Sequence, residues 1–234
     1  MIKYIQLPYY FNAKLLQQDV ELLDNSLWKL HYQKLHYEGD WSAIPLRSVN
    51  GNADNIIVSP VQNVEYNDTI FLKQCPYIKQ ILLNFKCPLQ AVRLLKLNAG
   101  AVIKEHRDIE LNFEKGEIRL HIPVVTNDTV EFYLDSERIF VKEGECWYMN
   151  FNLPHRISNK SKFDRIHLVI DAKVNDWVRD IFSGDDIVLK KEMEESINEP
   201  DAETKKIMIA RFREMNTDTA NKLADKLEEE LCTQ

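Results

Sequence analysis

EIRLHIPVVT, residues 117–126, alternates in character along its length. Side chains two apart share a face of a strand, so Arg119 and His121 fall on one side and Leu120 and Ile122 on the other. RIHLVIDA, residues 165–172, repeats the arrangement, with Arg165 and His167 facing one way and Ile166 and Leu168 the other. Between the two lie TVEFYLD, RIFVKE and ECWYMNF, short runs rich in β-branched and aromatic residues. Asn127-Asp128, Asp135-Ser136 and Glu143-Gly144 punctuate them as turns, and residues 89–103 read as further strand. Short strands this closely spaced, with few helices between them, exclude a βαβ fold and point to a sandwich or small barrel. The expected class is mainly β with flanking helices, and a jelly roll is the natural candidate for the core.

Farther out the patterns change. NAKLLQQDVELLDNSLWKLHY, residues 12–32, has apolar residues at helical spacing, and CPYIKQILLNFKCP, residues 75–88, holds a short amphipathic helix between its prolines. WSAIPLRSVNGNADN, residues 41–55, reads as an irregular loop because of Pro45, Gly51 and its asparagines. VNDWVRDIF, residues 174–182, reads as a helix, and the remainder as polar amphipathic helices. The expected organisation is a helical and loop region at 1–88 packing on the core, a β core at 89–182, and a polar helical tail at 183–234. That tail could pack on the barrel, mediate self-association or stay partly disordered.

Composition bounds the partners. The 234 residues include 37 acidic and 30 basic side chains, for a net charge of −7, so no broad basic surface invites nucleic acid or anionic membrane. The four cysteines form no CxxC and no metal-ligand pairing, and no cationic-then-apolar leader precedes them. They are expected to be free thiols in a reducing compartment, which makes the expected location cytoplasmic. No apolar run is long enough to span a bilayer.

The polar residues of the β region carry the chemistry. KEHRDIE, residues 104–110, sets His106 two residues before Asp108, so the two can converge on one point, be it a metal, a salt bridge or solvent. His155 follows Pro154 in what reads as a loop between strands, while His31 and His36 read as surface residues. A buried guanidinium needs a partner, and two strands each carrying Arg-x-His suggest a pocket for an anion. Two imidazoles and one carboxylate on one side of an ion match the facial triad of non-haem Fe(II) oxygenases. Trp41, Arg47 and Arg93 are expected to flank the barrel mouth, where either arginine could pair with a substrate carboxylate.

At these residues the chain resembles the aspartyl/asparaginyl β-hydroxylase family of 2-oxoglutarate-dependent oxygenases, on EHRD, RLHIPV, GECWYMN, PHRISN and RIHLVID. WSAIPL followed by CPYIKQIL looks further like the bacterial free-proline hydroxylases of the same superfamily. The resemblance implies a cupin-like double-stranded β-helix core with Fe(II) held by His106, Asp108 and His155. It also implies 2-oxoglutarate bound through Arg165 with help from Arg119, His121 and His167, with O2 as second co-substrate and no separate acid or base. The implied reaction hydroxylates an unactivated C–H bond of an amino acid or amino-acyl residue, releasing succinate and CO2. Animal protein hydroxylases of this family have glycine where Asp108 stands, which places the chain nearer the bacterial small-molecule enzymes. Two other functions fit the residues: a non-catalytic cupin-like module holding Zn(II) or Ni(II) and a small carboxylate, and an interaction protein working through its C-terminal helices.

Overall fold

The computed structural model describes residues 1–59, 61, 63–108, 111–183, 200–215 and 217–232. Ile109 and Glu110 of KEHRDIE, and residues 184–199 of the tail, lie outside the described residues. Two antiparallel sheets face each other. The larger runs in the order β1 (Tyr4–Tyr10), β11 (Glu145–Met149), β8 (Glu117–Val125), β13 (Arg165–Lys173), β6 (Leu89–Leu97), β4 (Trp41–Val49) and β2 (Lys29–Leu30), with β5 (Tyr66–Asp68) also on β4. The smaller runs β10 (Glu137–Ile139), β9 (Val130–Leu134), β12 (His155–Asn159), β7 (Val102–His106) and β3 (Tyr37–Glu38). This is the expected double-stranded β-helix.

Alternation along the central strands decides which side chains face where. Leu94, Leu120, Ile122, Leu168 and Ile170 belong to one apolar cluster with Leu16, Ile78, Met208 and Phe212 from the helices. Those helices are α1 (Ala13–Glu21), α2 (Pro76–Leu83), α3 (Asp176–Ser183), α4 (Ala202–Met215) and α5 (Asp218–Cys232). Ala43, Leu95, Leu97 and Val169 form a second cluster with Ile103, Phe132 and Ile157 of the smaller sheet. The larger sheet is therefore covered by helices on one face and by the smaller sheet on the other, and the arginines and histidines of β8 and β13 share the inner face. Of the tail, α4 packs on α5 and on α2, and Met208, Phe212, Ala220, Ala224 and Leu227 join the apolar cluster on the helical side of the larger sheet.

Left-handed backbone marks two of the three expected turns. Asp135 and Ser136 have φ of 49° and 66° and join β9 to β10, the doubly left-handed turn whose twist suits a hairpin. Gly144 has φ of 84°, and a Cβ there would sit 2.2 Å from the Phe11 carbonyl oxygen.

Several expectations need correction. Residues 41–49 form strand β4, not a loop, and the region before residue 89 supplies β1 to β5 to the two sheets rather than only helix and loop. Pro45 is tolerated because the β4–β6 register shifts beside it, at Pro45/Arg47, and the short partners on the other side of β4 engage residues 42–43 and 47–49 only. The first helix stops at Glu21. Asp24 then takes an extended conformation and caps a single turn at 25–27, ahead of β2. His155 opens strand β12 instead of lying in a loop. The four cysteines are free thiols, and no helix of the described residues is long and apolar enough to cross a membrane.

One buried carboxyl links the helices. Asp19 of α1 is fully buried and accepts the backbone N–H of Ile78 at 2.7 Å and that of Tyr77, so it caps α2 from a neighbouring helix. Burial raises its pKa well above the ordinary value, against the pull of those two amides. A raised native pKa means the folded state binds more protons than the unfolded one, so this group's contribution to stability falls as pH rises above about 4. Asp19→Asn is expected to flatten that fall in urea unfolding at pH 5 and pH 8. Equal slopes in parent and variant would show that the cap is ionised.

Candidate metal and carboxylate site

His106 and His155 meet because they are direct partners in the β7–β12 ladder. Opposed residues of an antiparallel pair project to the same face, and the two rings lie 4.2 Å apart between centroids. Asp108 follows just past the end of β7, where its N–H donates to the Phe151 carbonyl at 2.9 Å. The ligand atoms of His106, Asp108 and His155 all lie within 4.8 Å of one another, and His106 Nε2 is 3.8 Å from Asp108 Oδ1.

Backbone carbonyls select the tautomers. His106 Nδ1 lies 2.8 Å from the Lys104 oxygen and His155 Nδ1 lies 3.1 Å from the Leu153 oxygen. A carbonyl only accepts, so each Nδ1 carries the proton and each Nε2 keeps its lone pair for the cluster. Burial, reinforced by His106, pushes His155 down to about 4, so it is neutral at physiological pH. Burial works to raise the Asp108 carboxyl, but Arg119, His155 and His106 outweigh it and hold Asp108 below the ordinary carboxylate value. A neutral His155 and an ionised Asp108 are in the protonation states a divalent ion requires of them.

Behind the triad runs an ionic chain. Arg119 Nη1 donates to Asp108 Oδ2 at 2.5 Å, while its Nε and Nη2 donate to Asp171 Oδ1 and Oδ2 at 2.6 and 3.2 Å. Arg93 Nη2 donates to the same Asp171 Oδ2 at 2.8 Å, and its Nη1 to the Ile56 carbonyl at 3.3 Å. Expected as an aid to Arg165, Arg119 lines the same cavity but gives its donors to two carboxylates.

Arg165 differs. It is 4% exposed, and among the described residues no carboxylate pairs with it. Its Nη2 donates to His167 Nδ1 at 3.0 Å, and its Nε has no partner. Burial pushes its pKa down to about 9, which still leaves a cation at neutral pH. His121 Nδ1 lies 3.3 Å from His167 Nδ1, and the Nε2 atoms of both rings lack partners. Burial, then Arg165, drives both imidazoles well below their usual pKa. An unpaired cation beside orphaned polar atoms is costly unless something anionic completes it.

A cavity of about 1070 Å3 contains His106, Asp108, Arg119, His121, His155 and Arg165. Arg93 and Trp41 also line it, but Arg47 does not: it pairs with Asp68 on β5 at 2.5 Å. His31 corrects the surface assignment. It is buried, stacks on Trp41 at 3.6 Å between centroids, and lines the cavity. His36 is half-buried, 5.1 Å from the His106 ring. Asp171 was not singled out, although its place on the Arg165-His167 side of β13 was readable from alternation alone.

The donor set fits a divalent metal with room left for other ligands, and the partnerless Arg165 fits a carboxylate beyond it. On the inner face of a double-stranded β-helix, these two features could hold a metal and an organic acid. The family model for aspartyl/asparaginyl β-hydroxylases matches residues 11–174, and the chain belongs to that family. It is 27% identical over 164 residues to L-proline cis-4-hydroxylase of Rhizobium meliloti (strain 1021), covering 69% of this chain and 57% of that protein. It is 26% identical over 138 residues to L-proline cis-3-hydroxylase 1 of Streptomyces sp, covering 57% and 47%. The chain thus spans about half the length of the curated relatives it matches. A solved 2OG-Fe(II) oxygenase family oxidoreductase from Burkholderia pseudomallei superposes with a TM-score of 0.45 at 10% identity, over 70% of this chain and 79% of that one.

Proposed function

We propose that this protein is an Fe(II)- and 2-oxoglutarate-dependent dioxygenase that hydroxylates an unactivated C–H bond of an amino acid or amino-acyl residue. The observation that carries this reading is the buried, unpaired Arg165 beside the His106, Asp108 and His155 cluster. His106 and His155 would offer Nε2 and Asp108 would offer Oδ1 to the ion, while Arg165 would hold the distal carboxylate of 2-oxoglutarate. Iron, 2-oxoglutarate and O2 supply the oxidation: the co-substrate leaves as succinate and CO2, and one oxygen atom enters the C–H bond. The protein's part is to hold these partners in a cavity lined by His106, Asp108, Arg119, His155 and Arg165 and to place the substrate. No general acid or base is required of it.

Hydroxylation of proline, named for the two relatives, supports an amino-acid substrate class. The stacked His31 and Trp41 form a wall near the His106 ring, 6.4 Å from Trp41 between centroids, against which such a substrate would lie. Arg47→Ala, outside the cavity, is expected to leave succinate release with any accepted amino acid within about twofold, as ordinary surface changes do. A large rise in substrate KM would put Arg47 in the recognition site. The negative net charge supports a small-molecule partner over nucleic acid, and the free thiols support a cytoplasmic location. Self-association through α4 and α5 would have to use their outer faces, because Met208, Phe212, Ala224 and Leu227 are buried within the chain.

The decisive experiment is anaerobic visible absorption with Fe(II) added first and 2-oxoglutarate second. A weak charge-transfer band that needs both additions, followed by succinate release in air, supports the dioxygenase. The band without succinate on any amino acid tried would favour the metal- and carboxylate-binding module.

A further inference from the structure

We propose that Asp171 is a positioning residue of the metal centre: it clamps Arg119 so that this arginine takes one oxygen of Asp108 and leaves the other for the ion. The inference rests on reading His106, Asp108 and His155 as the metal ligands. Asp171 is fully buried and does not line the cavity, so no substrate reaches it. It stands directly opposite Arg119 in the β8–β13 ladder. Its two oxygens take Nε and Nη2 of Arg119 as a side-on fork, and that geometry fixes the plane of the guanidinium. The third nitrogen, Nη1, then has one direction to point, and at 2.5 Å it meets Asp108 Oδ2.

The consequence falls on coordination. A carboxylate can chelate an ion through both oxygens or bind through one. With Oδ2 held by Arg119, Asp108 has Oδ1 free, the oxygen 3.8 Å from His106 Nε2. Binding through one oxygen keeps an additional metal position open for incoming ligands. Arg93 also donates to Asp171 and, among the described residues, makes no hydrogen bond to Asp108, so it balances the buried charge without aiming the ligand. Asp171 therefore acts on the metal through Arg119, and a lysine at 119 could not reproduce the action: it keeps the charge but lacks the planar fork.

The test uses the full chain and Co(II) under anaerobic conditions, without co-substrate, reading affinity by titration and coordination from the visible d–d bands. The parent is expected to bind Co(II) with a defined band pattern. Asp171→Asn is expected to weaken binding by about 10–100-fold, as loss of an outer-shell partner does, and to shift the bands as the carboxylate changes its mode. Arg119→Lys is expected to shift the bands in the same direction, which keeps the test alive if Asp171→Asn fails to fold. Arg93→Met removes a nearby charge without touching the fork, so it is expected to leave the bands as in the parent and to weaken binding less than Asp171→Asn does. Parent-like bands in Asp171→Asn or Arg119→Lys would overturn the proposal, as would equal weakening in Arg93→Met, which would reveal only a damaged ionic core. A parent that binds no Co(II) would instead remove the metal reading itself.

Discussion

Arg165→Met is expected to raise the 2-oxoglutarate requirement by about 100-fold while making the unliganded protein more stable. The two effects have one cause. Arg165 lies buried with no carboxylate partner among the described residues and with its Nε unbonded. A buried donor without a partner costs about 1–3 kcal/mol, and an uncompensated charge adds to that. Methionine fills much of the same volume and carries no such cost, so the Tm of the apo protein should rise. When the anion arrives the balance reverses, because each hydrogen bond to a charged group contributes about 1.5–3 kcal/mol and the variant can form neither arm of the fork. Thermal shift with and without 2-oxoglutarate reads both effects together: the parent should gain stability from the ligand and the variant should not. A variant with parent-like affinity would place the anion elsewhere in the cavity.

Asp108→Ala is expected to abolish coupled turnover and to lower metal affinity by at least the 100-fold that marks the upper end for losing an outer-shell partner. It removes the sole anionic member of the His106, Asp108 and His155 cluster, leaving only two imidazoles to face a divalent charge. The fold should survive. Asp108 is about 30% exposed at its side chain, so its pairing with Arg119 is partly screened, and Arg119 keeps the fork from Asp171. Metal content after dialysis, with far-UV circular dichroism as a check on folding, reads the outcome. Retained metal and unchanged succinate release would rule out Asp108 as a ligand.

The strands of the core were legible because alternation is a local signal and the turns were marked by residues suited to left-handed backbone, as at Asp135 and Ser136. The site's residues were legible for the same reason: Arg119, His121, Arg165 and His167 share the inner face of β8 and β13, as their spacing required. What failed was non-local. Residues 41–49 looked like loop because Pro45 argues against strand, and only the register shift on β6 shows how a proline fits there. His31 looked like a surface residue because nothing nearby in sequence announces that Trp41 will stack on it. Arg119 looked free to meet a ligand because a carboxylate partner far along the chain, Asp171, has no local mark of its pairing. Sequence periodicity tells which face a side chain takes; it does not tell which neighbour reaches it first.

The pairing of His106 with His155 belongs to the smaller sheet, while Arg165 stands on the larger one. A ligand that joined an ion at the His106, Asp108 and His155 cluster to that arginine would therefore cross-brace two walls of the barrel. An ion alone would tie together β7 and β12, already neighbours, whereas a dicarboxylate reaching Arg165 would span the gap between the sheets. On the proposed reading the two sheets would be held together most firmly while the co-substrate is bound, so filling the site would also stiffen the barrel.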